Sequence, residues 1–194
     1  RRELLEIGDG TSIDAQSLAS QIGLIKAIKD YDLKRIISFH SRVKRAENFA
    51  SEILDTINII DVSQRPDGVL KTEHVSGIMP SSKRRTRLLR LKELDDAERR
   101  LLSNAQCLSE GVDVPALDGV AFIDPRASKI GIVQAVGRAI RLNEEKTVGT
   151  IVLPVFIENG DDIEESIESS NFKHVWEVLN ALKSHDEELS FELE

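Results

Sequence analysis

The 194-residue sequence contains one cysteine, Cys107, together with one methionine, one tryptophan and one tyrosine. A single thiol excludes an internal disulfide framework and fits a reducing compartment. The four histidines, at positions 40, 74, 174 and 185, are scattered. Beside a lone cysteine they offer no metal-ligand spacing, so no metal site is expected. No apolar run approaches the ~18 residues of a membrane span, and no charged-then-apolar leader opens the chain. A soluble, cytoplasmic domain without membrane contact is therefore expected. Gly-x-x-x-x-Gly-Lys-Ser/Thr occurs nowhere, so there is no phosphate-cradling loop or its lysine. The chain opens Arg1-Arg2 and its one methionine is Met79, so it is expected to be a segment of a longer product.

With 40% apolar and 31% charged residues, the length suits one α/β domain. The formal charge of −8 argues at first against a polyanionic partner, but the charge is unevenly placed. Residues 158–194 hold 12 acidic and 2 basic residues, which leaves 22 acidic and 24 basic residues in 1–157. The acidity thus belongs to the C-terminal stretch. Residues 83–100 carry eight basic and four acidic side chains, and 34–45 add five basic residues and no acidic one. Both stretches suit contact with phosphates.

Short aliphatic runs alternate with longer segments of helical period, the pattern of βαβ units around a parallel sheet. Strands are expected at 34–39, 74–75, 100–103, 119–123 and, interrupted late by Pro154, at 147–157 as an edge. The intervening helices are expected at 43–57, with Val43, Ala46, Ala50, Ile53, Leu54 and Ile57 as the buried stripe, at 81–92, and at about 128–141, capped by Ser128. A helix at 14–30, with Leu18, Ile22, Ile25 and Ile28 at helical spacing, precedes this core. A helix at 171–184 follows it, with Phe172, Val175, Trp176, Leu179 and Leu182 on one face. Trp176 there reads as a core anchor rather than a platform for a base. The acidic stretch 158–170 reads as a loop. Three regions follow: 1–33 as a linker and helix leading in, 34–157 as the domain, and 158–194 as an acidic loop and helical extension.

In an open parallel sheet ligands gather at the carboxyl ends of the strands. The residues there are His40-Ser41-Arg42, Ser76-Gly77, Asn104 and Asp124-Pro125-Arg126. Hydroxyl, amide and guanidinium groups predominate, which suits anion binding more than acid–base work. For His40 and His74 the favoured reading is a hydrogen-bonded structural histidine. Farther along, Gln134, Arg138 and Arg141 stand at i, i+4 and i+7 on one helical face, with Gly137 beside them and Ile132, Val133, Val136 and Ile140 on the other. Two guanidiniums and an amide on one face form a receptor for a multiply charged phosphate. Glu110-Gly111-Val112-Asp113, before Pro115, taken alone reads equally well as a turn.

Taken together, this order resembles the second motor domain of superfamily 2 helicases and translocases, over about residues 35–156. Strand 36–39 with His40-Ser41-Arg42 is similar to motif IV, Glu110-Gly111-Val112-Asp113 to motif V, and Gln134-x-x-Gly137-Arg138-x-x-Arg141 to motif VI. Phe-Ile-Asp-Pro-Arg at 122–126, followed by the motif VI run, looks most like bacterial helicase-like proteins related to the type I and type III restriction translocases. The resemblance implies a RecA-like parallel sheet with helices on both faces and a C-terminal helical extension. It also implies an ATP site, with Mg2+, completed from one side. Gln134, Arg138 and Arg141 would reach the γ-phosphate of ATP held mainly by a preceding motor domain, with Arg141 as arginine finger. Glu110, Gly111 and Asp113 would lie near the nucleotide. Ser41, Arg42, Ser76, Gly77 and Asn104 would touch the backbone of DNA, RNA not being excluded. Many relatives place a threonine where Ser103-Asn104 stands, which leaves that contact's chemistry open.

The basic helix at 81–92 has two readings of equal weight. In one, Arg84 and Arg85 contact phosphates; in the other, the charges form a solvated face above Leu88, Leu89 and Leu91. A catalytic half of a larger ATP-dependent helicase is expected, inactive alone because the phosphate loop and the magnesium-holding strand end are absent. The rivals are a non-catalytic, motor-like docking module for protein or nucleic acid, and a self-contained nucleotide-binding enzyme, which the missing phosphate loop disfavours.

Overall fold

The computed structural model describes residues 4–7, 11–105, 117–124, 129–139, 149–155 and 162–183. Two short strands, β1 (Leu4–Ile7) and β2 (Thr11–Asp14), pair antiparallel ahead of helix α1 (Ala15–Asp30). The domain then runs β3 (Arg35–His40), α2 (Val43–Ile59), β4 (Val69–Ser76), α3 (Ser81–Lys92), β5 (Glu98–Ala105), β6 (Gly119–Asp124), α4 (Lys129–Ala139), β7 (Thr150–Val152), α5 (Ile163–Glu168) and α6 (Lys173–Lys183). The five later strands form one sheet in the order β4-β5-β3-β6-β7, every pair parallel. Parallel neighbours need crossovers; α2, α3 and α4 supply those after β3, β4 and β6, and helices cover both faces of the sheet.

Alternation along the central strands divides the core into two layers. Ile36, Leu101, Ala121 and Leu70 pack with Leu24, Ile25 and Ile28 of α1 and with Phe49 and Ile53 of α2. Ile37, Leu102, Val120, Phe122 and Val75 face the opposite side, against Leu88 and Leu91 of α3, Ile132 and Val136 of α4, and Val175, Val178 and Leu179 of α6. Each fully buried Ile or Leu contributes about 1.5–3 kcal/mol. Trp176 packs, partly buried, on this second layer, as its place on the α6 stripe predicts.

Several expectations shift in detail. In α2 the buried positions are Ala46, Phe49, Ala50, Ile53 and Thr56, whereas Leu54 is 37% exposed. Phe49 belongs to the stripe because its ring packs at 4.9 Å against His40. In α1, Ile22 is 40% exposed, and Gln21, fully buried, receives a hydrogen bond from Thr56 of α2. The stretch 158–170 is not loop throughout. Asp162 caps α5 by accepting from the Glu165 backbone N–H at 3.0 Å, and Ile167 anchors that short helix. Ser128 and residues 140–141, expected at the ends of the α4 helix, lie outside the described residues, as do 147–148 and 156–157 around β7.

At the amino ends of the strands, the Asp118 carboxylate accepts from the backbone N–H of Lys34 and Arg35 at 3.1 and 2.7 Å, pinning β3 to the entry of β6. Gly68 turns the chain into β4 with φ +78°, and a Cβ there would stand 2.2 Å from the Ala97 carbonyl oxygen. That position therefore requires glycine.

Candidate nucleotide and nucleic-acid faces

The carboxyl edge of the sheet gathers His40 and Ser41 from β3, Ser76 and Gly77 from β4, Ala105 from β5 and Asp124 from β6. His40 is buried. Its Nε2 lies 3.0 Å from Ser38 Oγ, which donates to Ser103 Oγ at 3.0 Å. Burial pushes the His40 pKa down to about 3, Asp124 opposing the shift and Arg45 adding to it. The imidazole is thus neutral at physiological pH, in keeping with the structural reading. His74, half-buried, is lowered first by burial and then by Arg87.

Ser41 is buried and donates to the Asp124 carboxylate, which also receives Arg45 from the first turn of α2. Burial works to raise the Asp124 pKa, but the hydrogen bonds from Ser41 and Arg45 outweigh it and hold the carboxyl below its ordinary value. Arg42 is exposed, with no side-chain partner among the described residues. Ser76 is buried and Gly77 exposed in a tight turn, where the Met79 N–H bonds the Ser76 carbonyl at 3.1 Å. Arg84 reaches back to the carbonyls of Gly77 and Met79 at 3.3 and 3.4 Å, so it shapes that turn. Asn104 is 2% exposed.

The basic helix α3 divides. Glu73 of β4 takes Arg87 at 3.5 Å, Arg90 at 2.8 Å and Arg100 of β5 at 3.3 Å, and Arg87 also donates to the His74 carbonyl. Glu98, held below its ordinary pKa first by its hydrogen bond from Lys71, pairs with Lys71 at 2.6 Å and with Arg100. Lys83 and Arg85 are exposed, with no partner among the described residues.

On α4, Gln134 presents a side-chain Oε1 that is buried and lacks a hydrogen-bond partner, the only such side-chain atom among the described residues. One turn on, a Cβ at Gly137 would meet nothing within 4 Å among the described residues, so the helix surface there is open. The Arg138 side chain, Arg141, and Glu110, Gly111 and Asp113, expected beside the nucleotide, lie outside the described residues. The structure thus joins Ser41 to Asp124, which the sequence placed at the carboxyl end of its strand without a role, and Arg84 to the Gly77 turn, and it adds Arg45, which the sequence reading did not select. Its signal was available in part, since Arg45 stands four residues after Ser41 at the start of a helix. Among the described residues no group of three or more His, Cys, Asp or Glu is placed to hold a metal ion, and no helix is long and apolar enough to cross a membrane.

Comparison with known proteins places this geometry. The type ISP restriction-modification enzyme LlaBIII, an ATP-dependent enzyme solved bound to DNA, superposes with a TM-score of 0.75 at 29% identity. The match covers 91% of this chain and 12% of that one. A DEAD box protein from Methanococcus jannaschii, at 17% identity and a TM-score of 0.53 over 84% of this chain and 37% of its own, shares the fold. The probable helicase A859L of African swine fever virus is 31% identical over 86 residues, 44% of this chain and 9% of that protein. The matches thus span about a tenth of the length of LlaBIII and of A859L. The model of the helicase conserved C-terminal domain matches residues 20–143, and with its RecA-like sheet the chain belongs to that family, the C-terminal domain of superfamily 2 helicases.

Proposed function

We propose that the chain is the second motor domain of an ATP-dependent DNA helicase or translocase, completing an ATP site shared with a preceding motor domain of the same parent protein. The observation that carries the reading is the Gln134 carboxamide. A buried carbonyl oxygen without a donor costs about 1–3 kcal/mol, and it lies one turn from open helix surface at Gly137. An incoming O–H donor, such as a nucleophilic water, would relieve that cost, and the amide N–H groups of the same side chain are suited to a phosphate oxygen. Arg138 and Arg141 would supply fixed positive charge to the γ-phosphate, with Arg141 as the finger, and Glu110, Gly111 and Asp113 would line the nucleotide. As substrate, ATP supplies a phosphoanhydride whose cleavage would drive opening and closing of the two domains. Mg2+ is assigned in this reading to the preceding domain.

The nucleic-acid backbone would run over the carboxyl edge of β3 and β4. Exposed Arg42, Gly77 and Arg85 would meet it first, with Ser41, Ser76 and Asn104 beneath them and Arg84 holding the turn. DNA is favoured over RNA because the 29%-identical relative was solved on DNA. The test is ATP turnover by the parent protein carrying Arg141→Ala. Loss of about 10³-fold or more in rate, with an unchanged circular dichroism spectrum of the 194-residue chain, supports the finger role. Full turnover by the variant would refute it. A parent protein with no turnover at all would return the domain to a docking module.

A further inference from the structure

The β3–β6 ladder contains an irregularity with a chemical consequence. Phe39 pairs with Phe122, but the next residue, His40, pairs with Asp124, so Ile123 is left without a partner. Strict alternation from Phe122, which faces the α4 and α6 layer, would point Asp124 toward that layer too. The extra residue turns it over. Asp124 comes to lie opposite His40, whose ring packs on Phe49 of α2, and meets Ser41 and Arg45. β-Bulges, rare in parallel pairs such as this one, can re-aim one side chain beside a functional site.

We propose that Asp124 is a positioning residue and that Arg45, which it holds, is a phosphate-contacting residue of the nucleic-acid face. This inference rests on the motor-domain reading above. The Arg45 side chain is 45% exposed, whereas Asp124 is 17% exposed. One guanidinium nitrogen, Nη1, is spent on Asp124. The remaining N–H donors have no partner among the described residues, and a guanidinium carries five. A guanidinium fixed through one edge with its other donors in solvent is preorganised for a phosphate oxygen and loses little side-chain freedom when it binds one. Arg42 lies three residues away on the same turn and is exposed, so the pair would grip adjacent backbone positions. The Asp124 carboxylate itself carries the wrong charge to attract nucleic acid. Its contribution is orientation.

That opposition of sign makes the test decisive. In the parent protein, nucleic-acid affinity is measured against salt for wild type, Arg45→Ala, Asp124→Asn and the double variant, with thermal melting of each. Arg45→Ala is expected to lower the magnitude of the log K against log salt slope by about 0.9 on duplex or about 0.7 on single strands. Asp124→Asn removes a negative charge yet is expected to weaken binding and reduce the slope by up to the same increment. It should add nothing in the Arg45→Ala background. Arg45→Lys retains the charge and is expected to restore most of the slope. Unchanged slopes in Arg45→Ala and Asp124→Asn, whatever their melting temperatures, would overturn the inference and leave the pair a structural latch. Tighter binding by Asp124→Asn would overturn it as well. A parent protein that binds no nucleic acid would instead overturn the underlying motor-domain reading.

Discussion

His40 makes folding stability depend on pH in a range where carboxylates are silent. Its side chain is buried at 6% exposure between β3 and α2, with its ring on Phe49 and Nε2 on Ser38. Burial lowers its pKa from the model-compound value of 6.5 to about 3. The unfolded chain therefore binds a proton below about pH 6.5 that the folded chain refuses until about pH 3. Stability from this group is complete above the unfolded value and falls as pH drops through that window, by up to about 1.4 kcal/mol per unit. Between pH 8 and pH 5 the loss is about 2 kcal/mol. Asp124, Glu98 and Asp32 are all held below their ordinary values and shift stability in the same direction, but only nearer pH 4 and below. His74, also lowered, adds a smaller contribution through its half-buried ring. Urea unfolding of the 194-residue chain at pH 8 and pH 5, for wild type and His40→Gln, measures the effect. The glutamine keeps a hydrogen-bonding amide for Ser38 and cannot titrate, so most of the acid loss should vanish. Equal losses in the two proteins would refute a buried, neutral His40.

Gly68→Ala is expected to destabilise the domain by about 1–3 kcal/mol in the same unfolding assay, since φ +78° and the Ala97 carbonyl 2.2 Å from a Cβ leave no room to relax. Glu98→Gln strips a 5%-exposed carboxylate from Lys71 and Arg100 and should cost on the order of 3 kcal/mol, because Arg100 is left buried with Glu73 alone. Replacing Glu98 and Arg100 together by apolar residues should recover much of that loss. The 194-residue chain alone should show no nucleic-acid-stimulated ATP turnover, and strong turnover by it would remove the shared-site reading.

The sheet and its helices were legible because their apolar periods differ. Ile36-Ile37, Leu101-Leu102 and Val120-Ala121-Phe122 fill both faces of a buried strand, whereas Ala46, Phe49, Ala50 and Ile53 recur at helical spacing. Details failed where one contact overrode the pattern. Leu54 continues the α2 stripe in sequence, yet it lies beside the free edge of β4, where it lines a shallow hollow with Leu70 and Thr72, while Phe49 takes its place beneath His40. α5 has one buried apolar residue, Ile167, and a segment with one anchor has no period to read. The orientation of Asp124 depends on a one-residue slip in the ladder, and register is set by pairing partners far apart in sequence.

The charge pattern shows the same division between what sequence holds and what folding assigns. Eight basic residues in 83–100 read as one electrostatic surface, but the fold distributes them. Arg87, Arg90 and Arg100 converge on Glu73, Arg99 is taken by Asp32 and by the Leu33 and Asp67 carbonyls, and Arg84 closes the Gly77 turn. These arginines hold β4, α3 and β5 in register rather than facing solvent as a sheet of free charge. Cationic groups remain available near the carboxyl edge at Arg42, Arg45, Lys83 and Arg85, at the starts of α2 and α3. Counterion release scales with the phosphates actually neutralised and not with the charge in the sequence. In the proposed reading, the cations left for a nucleic-acid backbone among the described residues are therefore about four, at the β3–α2 and β4–α3 junctions on either side of β5, from a sequence whose first 157 residues carry 24 basic residues.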